Sequence, residues 1–416
     1  MVVTRFCPTP DGHLHHGSVY TAILNQEFAL RHAGKFVVEV DDLAIPWVRQ
    51  DLVESFREDL GWLGICSQDE VLMRSRNKSV FLEMLDALAA EGKIGISHVY
   101  KGCCLSEFAV MQNGRPVTVS SIRASSNAPG VAGLLSFASS PQHVLSEHQV
   151  ALVSEDVGML RETYWCSHPK DREPWLELEL PAGVRIGSIK LTWRLPRPLE
   201  VEILAMCDGH KWRRVSLISH SPVRSPSWWG SFVAPGTDRE DMVAMPPDLA
   251  CPRAIRLNIR SLQPMEEYTL CESGETVCHD VCLGGVSVEK ELEFRYFAWP
   301  ASDILLGSTH VIRGAELVHT LPQYVRLMQL LGHPVPVFCH VPPLVDETGE
   351  KLAKSLHNAP RIVEQLRSEG MNPSEARRWI IENAYTNVKE PTPLHSFEAQ
   401  MKLLEATVPA QHEPII

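Results

Sequence analysis

The feature that most constrains the fold is a change of texture along the chain, from mixed α/β patterns at both ends to short β-type runs in the middle. Residues 2–100 begin with a strand, a turn, a helix and a second strand, Phe36–Val40. Two amphipathic helices follow, because apolar residues recur at three- and four-residue spacing over Val53–Leu63 and Ser79–Leu88. A strand–helix–strand opening is typical of α/β folds with a parallel sheet.

The middle of the chain predicts an all-β domain. Residues 105–264 contain short runs broken by Ser, Pro, Gly and Asn, and Trp175–Leu180 alternates apolar and polar residues with period two. Similar runs cover Ile186–Trp193, Val201–Leu204 and Ala254–Ile259. Alternating strands with turns between them favour an antiparallel sandwich or jelly roll.

The α/β texture resumes after about residue 278. Ser308–Arg313 and Val335–His340 are strand-like, and a helix is predicted over Leu321–Leu331. The β-rich region is therefore inserted into an α/β domain and not appended to it. The predicted segments are 1–104 and 271–416 as two halves of the α/β domain, and 105–270 as the all-β insertion.

Composition narrows the classes of partner. The chain has 416 residues, 44% of them hydrophobic and 22% charged, and this is ordinary for a globular protein. Its formal charge of −12 argues against nonspecific attraction to polyanions, so that a nucleic acid would have to meet a local basic surface. No long apolar segment suggests export or a membrane span, and the 11 cysteines fit reduced thiols; we expect a cytoplasmic protein.

The first motif that can carry chemistry is Thr9–Gly17. A strand ends at Arg5-Phe6, a Pro-Thr-Pro-Asp-Gly turn follows, and His15-His16-Gly17 enters a helix. Glycine at a helix start lets a ligand approach the backbone, free N–H groups attract phosphate, and histidines can donate to its oxygens. The motif predicts a nucleotide site, and the alternative is a His-rich turn that only caps a helix.

The second motif is Gly349–Ser355, which follows a strand and an acidic turn. Lys351 and Lys354 on such a loop can close over a triphosphate and neutralise the charge that builds on a pyrophosphate leaving group. The alternative is a solvated basic turn.

Together these motifs resemble those of the class I aminoacyl-tRNA synthetases, glutamyl branch, whose first motif is of the type Pro-Ser-Pro-Thr-Gly-x-Leu-His-Ile-Gly and whose second is of the type Lys-Leu-Ser-Lys. Further blocks agree, namely Gly34–Asp42, Gly61–Ile65, Gly307–Gly314 and Thr320–Gln323. The resemblance implies a Rossmann-type class I synthetase core and a ligase. Such an enzyme activates an amino acid, here glutamate, with ATP and Mg²⁺ and transfers it to tRNA.

The resemblance also implies roles for individual residues. The implied catalytic residues are His15, His16, Lys351 and Lys354. The implied ATP-binding residues are Pro10, His15, Gly17, Ser18, Lys351, Lys354 and Ser355. The implied amino-acid-binding residues are Arg5, Cys7, Thr9, Asp41, Arg295, Trp299 and Arg313. Arg5 and Arg313 would grip the substrate carboxylate as guanidinium forks, and the alternative for both is a structural ion pair.

Departures from the family pattern leave the amino acid open. The family has a glutamate residue at the position of Asp41, where it binds the amino group of the substrate, and aspartate is shorter. Glu39 stands where an arginine is usual in the family. The expected tyrosine of the second half is replaced by Arg295 or displaced to Tyr296, and Trp299 follows it. The ATP machinery is expected to be intact.

Two further resemblances concern the rest of the chain. Only residues 356–416 follow Ser355, too few for helical anticodon-binding domains, so that the chain is similar to the stand-alone glutamyl-Q tRNA(Asp) synthetases, which place glutamate on the queuosine base. The insertion resembles a discoidin (F5/8 type C) jelly roll at Ser121–Ser126, Thr163–Trp165, Pro174–Leu178 and Asp208–Trp212. This resemblance implies a carbohydrate or protein ligand, with Trp228 and Trp229 as candidate contacts; buried aromatic packing is the alternative.

The insertion lies where the synthetases carry their acceptor-stem-binding subdomain, and this weakens the expectation of tRNA. A zinc site is conceivable from Cys103, Cys104, Cys278 and Cys282, but it is less favoured because two adjacent cysteines seldom both bind one tetrahedral ion. Two alternative functions stay open. One is an adenylate-forming ligase with a non-tRNA acceptor, and the other is a binding paralogue without turnover.

Overall fold

The structure is a computed structural model of the chain. It describes residues 1–10, 12–43, 50–67, 71–100, 102–127, 152–153, 160–161, 165–207, 211–223, 234–271, 275–276, 286–287, 291–292, 294–347, 352, 361–389, 391–392 and 394–408. The chain divides into two compact units. Unit 1 comprises Met1–Gly95 and Thr269–Ile416, and unit 2 comprises Ile96–Tyr268.

The helices among the described residues are α1 His16–Arg31, α2 Gln50–Trp62, α3 Lys78–Ala90, α4 Phe294–Leu306, α5 Leu321–Leu330, α6 Ile362–Ser368, α7 Pro373–Glu382 and α8 Phe397–Glu405. Short 3₁₀ turns cover Arg74–Asn77, Pro247–Leu249 and Ala315–Thr320. None of these helices is long and apolar enough to cross a membrane.

The strands in the first part of the chain are β1 Val3–Phe6, β2 Lys35–Val40, β3 Leu72–Met73, β4 Ile94–Val99, β5 Cys104–Gln112, β6 Arg115–Pro116, β7 Ser121–Ala124, β8 Leu152–Val153, β9 Leu160–Arg161, β10 Trp165–Cys166 and β11 Trp175–Glu179. Those that follow are β12 Ser188–Leu195, β13 Pro198–Met206, β14 Trp212–Ser219, β15 Ala234–Ala244, β16 Ala254–Leu262, β17 Met265–Leu270, β18 Glu275–Thr276, β19 Val286–Ser287, β20 Glu291–Leu292, β21 His310–Gly314 and β22 Val337–Val341.

Unit 1 is built on a parallel sheet of five strands in the order β22-β21-β1-β2-β3. Strand β1 pairs with β2 on one side, Arg5 opposite Val37, and with β21 on the other, Thr4 opposite His310. The predicted α/β class with a Rossmann-type core is confirmed. Because the carboxyl ends of parallel strands meet at one edge, the residues that follow β1, β2, β3 and β21 converge there.

Helix α1 forms the centre of the unit 1 core. Its side chains are buried on nearly every face, and the helices α7 and α8 pack against it. Tyr20 of α1 donates its hydroxyl to Gln400 Oε1 at 2.9 Å, and its ring meets those of Tyr385 and Phe397 edge to face. The last part of the chain is thereby tied to the helix that carries the first motif.

Unit 2 is an antiparallel β-structure. One sheet runs β10-β5-β12-β15, with β6 beside β5, and the other runs β14-β13-β16-β11-β7. Apolar residues of both sheets, such as Phe108, Trp193, Ile203 and Leu257, share one core. The predicted all-β character of the middle of the chain is confirmed, whereas its likeness to a discoidin domain stays a prediction.

The cysteines of unit 2 correct the prediction of reduced thiols and remove one of the less favoured zinc candidates. Cys104 forms a disulfide with Cys166, because β5 and β10 pair with these two residues opposite each other. Cys104 is therefore not a free thiol and not a zinc ligand. Cys103 is buried, and its Sγ lies 3.8 Å from Ser167 Oγ. Cys278 and Cys282 lie outside the described residues.

Candidate active site

The N-terminus of α1 is closed by the side chains of the first motif. His15 is the N-cap, and its Nδ1 accepts the backbone N–H of Gly17 at 3.1 Å. In return, Ser18 Oγ accepts the backbone N–H of His15 at 2.9 Å. An imidazole that accepts at Nδ1 is neutral and carries its proton on Nε2. His15 can therefore donate from Nε2 while it caps the helix.

Gly17 makes room for this imidazole. A Cβ atom at position 17 would lie 3.1 Å from Cε1 and 3.3 Å from Nδ1 of His15. The ring can lie across the helix start because no side chain occupies that space. Glycine at this position thus serves the geometry of His15 directly.

His16 lies in the first turn of α1 and faces the C-terminal helices. Its Nε2 is 2.7 Å from the carbonyl oxygen of Ile380, to which it can only donate, and its ring centroid is 5.5 Å from that of Trp379. Burial lowers its pKa. This position favours a structural role for His16 over the predicted contact with phosphate.

Arg5, at the end of β1, is enclosed by protein carboxylates. Nε and Nη2 donate to the two oxygens of Asp303 at 2.8 and 2.6 Å, and Nη1 donates to Glu39 Oε2 at 2.9 Å. The side chain is 8% exposed. Tyr324 donates its hydroxyl to Asp303 Oδ2 at 2.7 Å. All three guanidinium nitrogens face carboxylates of the chain itself, and this favours the ion-pair alternative over capture of a substrate carboxylate.

Arg74 is a second buried cation at this edge of the sheet. It follows β3, is 1% exposed, and donates from Nε and Nη2 to Glu39 Oε2 at 3.1 and 2.9 Å. Its Nη2 also lies 2.8 Å from Cys7 Sγ. Burial by itself would raise the pKa of Glu39, but Arg74 and Arg5 hold it below its usual value. Burial raises the pKa of the Cys7 thiol well above its usual value.

Asp41 follows β2 and is 4% exposed. Its Oδ2 accepts the indole N–H of Trp299 at 3.0 Å and forms an ion pair with Arg74 Nη1 at 2.7 Å. Its Oδ1 is buried and has no hydrogen-bond partner. A buried carboxylate oxygen without a donor is costly, so this atom is suited to receive an N–H group from a ligand.

Arg313 differs from the other two arginines because it makes no carboxylate ion pair within the described part of the chain. It lies near the end of β21, donates from Nε to His340 Nε2 at 3.2 Å, and stands 5.1 Å from the ring of Phe338 and 5.9 Å from those of Trp299 and Tyr324. Burial lowers its pKa to about 10. A desolvated guanidinium in an aromatic surround is suited to bind a carboxylate.

The other described residues of the predicted amino-acid and ATP sites also lie in the two stretches of chain that form unit 1. Tyr296 accepts a hydrogen bond from Arg295 and packs edge to face on Trp299 with ring centroids 5.1 Å apart, so that Tyr296 contacts the indole. Thr9 is half-buried and Pro10 is buried, between β1 and α1.

Most of the second motif, including Lys351, Lys354 and Ser355, lies outside the described residues. Its Leu352 donates its backbone N–H to the Leu344 carbonyl at 2.8 Å and packs against the unit 1 core. This one described residue of the motif thus packs in the unit that contains α1.

Sequence reasoning missed Arg74, Tyr324, Phe338 and His340. Two of them could have been found by position, since Phe338 and His340 lie on β22, whose strand pattern was recognised. Arg74 lies directly after β3, a strand of only two residues that gives almost no periodic signal.

Comparison with known proteins identifies the family. Residues 1–107 and 295–404, just over half of the chain, match the family described as tRNA synthetases class I (E and Q), catalytic domain. The chain belongs to this family, as its two motifs predicted. The matched residues leave out most of unit 2.

Relatives with established names agree with the family. The chain is similar to the glutamate–tRNA ligase of Oleidesulfovibrio alaskensis, with 22% identity over 380 residues that cover 91% of this chain and 56% of the relative. It is 38% identical over 92 residues to glutamate–tRNA ligase 2 of Rickettsia felis, which covers 22% of this chain and 20% of the relative. A crystal structure of glutamate–tRNA synthetase from Elizabethkingia anophelis aligns over 96% of this chain and 65% of that one, with 14% identity and a TM-score of 0.40. The chain spans about half the length of the first of these relatives.

Proposed function

We propose that the protein activates glutamate as its adenylate with ATP and transfers the glutamyl group to tRNA, in the manner of the glutamyl-Q tRNA(Asp) synthetases. The observation that carries the proposal is that one edge of the parallel sheet holds two complementary groups. One is the buried Asp41 oxygen without a hydrogen-bond partner, and the other is the Arg313 guanidinium, which makes no carboxylate ion pair among the described residues. An ammonium group and a carboxylate group of one small molecule would satisfy both.

The first step forms a mixed anhydride. An α-carboxylate oxygen of the amino acid attacks the α-phosphorus of ATP, the bond to the bridging oxygen breaks, and pyrophosphate leaves. The Nε2–H of His15 and the start of α1 support binding of the phosphates, and Lys351 and Lys354 would neutralise the leaving group. No cluster of three or more metal-ligating side chains occurs among the described residues, so Mg²⁺ would enter with ATP as part of that substrate.

The second step transfers the acyl group. A hydroxyl of the acceptor attacks the carbonyl carbon of the adenylate and gives its proton to a phosphate oxygen, and AMP leaves with the oxygen that was bound to that carbon. Orientation supplies most of the catalysis in such a scheme, since no residue of the chain forms a covalent bond to the substrate.

The glutamate proposal rests on two complementary charges. Asp41 Oδ1 would accept from the α-ammonium group, and Arg313 would pair with the side-chain carboxylate. Trp299 links them, because its N–H donates to Asp41 and its ring lies 5.9 Å from Arg313. Both receptors are thereby near the same indole, Asp41 at its N–H and Arg313 at 5.9 Å from its ring.

ATP–pyrophosphate exchange, measured with each of the twenty amino acids, tests the first step. We expect exchange with glutamate above all others. Exchange with none of the twenty would contradict the proposal and favour a binding paralogue. Transfer of labelled glutamate to total RNA, compared with an extract treated with RNase, tests the acceptor.

A second candidate keeps the adenylate but uses a non-tRNA acceptor, such as a carrier protein or a small amine. The net charge of −12 and the interruption of the family match by unit 2 favour it. Labelling that survives RNase treatment would support this candidate. A carbohydrate or protein ligand of the predicted insertion, 105–270, also stays a proposal, and Trp228 and Trp229 lie outside the described residues.

A further inference from the structure

Arg74, to which the sequence assigned no role, belongs to a buried charge cluster. The cluster contains two cations, Arg5 and Arg74, and three carboxylates, Glu39, Asp41 and Asp303. All five side chains are at least nine-tenths buried. If all five are ionised, the cluster carries one net negative charge.

The excess charge can be located at one atom. Both oxygens of Asp303 are bonded by Arg5, and Glu39 Oε1 accepts from Ser302 while its Oε2 accepts from Arg5 and Arg74. Asp41 Oδ1 is the one carboxylate oxygen of these three side chains that is buried without a hydrogen-bond partner. Asp41 Oδ1 is therefore the atom of the cluster at which a donor from a ligand would bind.

Arg74 fixes the direction in which this oxygen points. Its Nη1 and the Trp299 N–H both approach Oδ2 of Asp41, at 2.7 and 3.0 Å, and they leave Oδ1 turned away from them. The contact of Nη1 is an ion pair without the alignment of a hydrogen bond. Arg74 is itself held in place, because the next residue, Ser75, donates its backbone N–H to Asp42 Oδ1 at 2.8 Å.

We propose that Arg74 is the positioning residue of the amino-acid site: it orients Asp41 so that Oδ1 receives the α-ammonium group of the substrate. This inference rests on the proposed function and adds the residue on which ammonium recognition depends. In this scheme Arg74 does not contact the substrate carboxylate, which pairs with Arg313 instead. Its loss therefore weakens recognition of the amino group selectively.

Titration calorimetry with glutamate and with glutarate, which has the same two carboxylates and no amino group, tests the proposal. Arg74→Met should weaken glutamate binding about 10- to 100-fold and change glutarate binding less than about threefold. Arg74→Lys should restore part of the glutamate affinity, because it keeps one charged donor. Equal loss for both ligands would show a merely structural role and overturn the proposal.

Removal of Arg74 alone leaves Asp41 as a buried charge without its ion-pair partner and Glu39 with Arg5 only, and such variants can fail to fold. The double variant Glu39→Gln/Arg74→Met removes a charge of each sign and should keep the same selective loss of glutamate. An unchanged ratio of glutamate to glutarate affinity in a folded double variant would refute the positioning role. Absence of exchange in wild-type protein that binds glutamate would contradict the proposed function alone, and a selective loss of glutamate affinity in the Arg74 variants would still support the positioning role.

Discussion

Replacement of Trp299 by phenylalanine separates recognition of the amino acid from recognition of ATP. The change deletes the N–H that donates to Asp41 Oδ2 at 3.0 Å and keeps an aromatic ring beside Tyr296 and Arg313. A buried hydrogen bond to a charged acceptor contributes about 1.5–3 kcal/mol. The lower half of that range applies, since Arg74 still holds the same oxygen. We therefore expect the KM for the amino acid to rise roughly 13- to 45-fold.

ATP–pyrophosphate exchange with the amino acid varied at saturating ATP, and then with ATP varied, measures both constants. The KM for ATP should stay within about twofold, because Trp299 has no place in the ATP site that we propose. Trp62→Phe is the matched control: it removes an indole N–H in the same unit, where the ring stacks under Arg367, and should change neither constant. An unchanged KM for the amino acid in Trp299→Phe, or an equal rise in both constants, would refute the reasoning.

Three further predictions concern other parts of unit 1. Gly17→Ala should displace the His15 ring, raise the KM for ATP several-fold and cost about 1 kcal/mol of stability through the lost cap, and unaltered ATP kinetics would contradict this. Lys354→Ala should abolish exchange while thermal unfolding stays unchanged, and normal exchange would disprove its role. Burial lowers the pKa of His340 from 6.5 to about 4, and the positive charge of Arg313 contributes to this shift. The neutral ring therefore stabilises the fold above pH 6.5, and this contribution is lost as the pH falls toward 4. Allowing for partial exposure, urea unfolding should show a loss of about 1–2 kcal/mol between those values, reduced in His340→Gln, and an identical pH profile in the variant would refute the assignment.

Much of the fold and part of the site follow from the sequence. Parallel strands gather the residues that follow them, and the strands before Arg5, Asp41 and Arg313 are apolar enough to recognise. The ion pairs and hydrogen bonds of those residues do not follow from the sequence, because they depend on which side chains meet across segments far apart in the chain. Arg5 is neutralised by Glu39 and Asp303, and Asp303 lies 298 positions away.

The paired histidines show the same limit at short range. His15 and His16 are neighbours in the sequence, but their side chains point in different directions. His15 lies across the start of α1, and His16 points toward the Ile380 carbonyl. No pattern in the sequence distinguishes them, since helix position alone decides which caps the helix. The disulfide between Cys104 and Cys166 was missed for a similar reason: it depends on the register of two strands 62 positions apart.

The position of β1 in the middle of the unit 1 sheet has a consequence for biosynthesis. Its partner on one side, β2, leaves the ribosome soon after it, whereas Val3 must wait for Thr309, 306 positions later. At about 5–20 residues per second, that interval is roughly 15–60 s. Unit 2 is continuous in sequence and can fold during this interval. Until β21 is synthesised, one edge of β1 stays unpaired, and an unpaired edge can pair with another chain. We therefore expect the risk of aggregation to be highest during translation, before β21 pairs with β1.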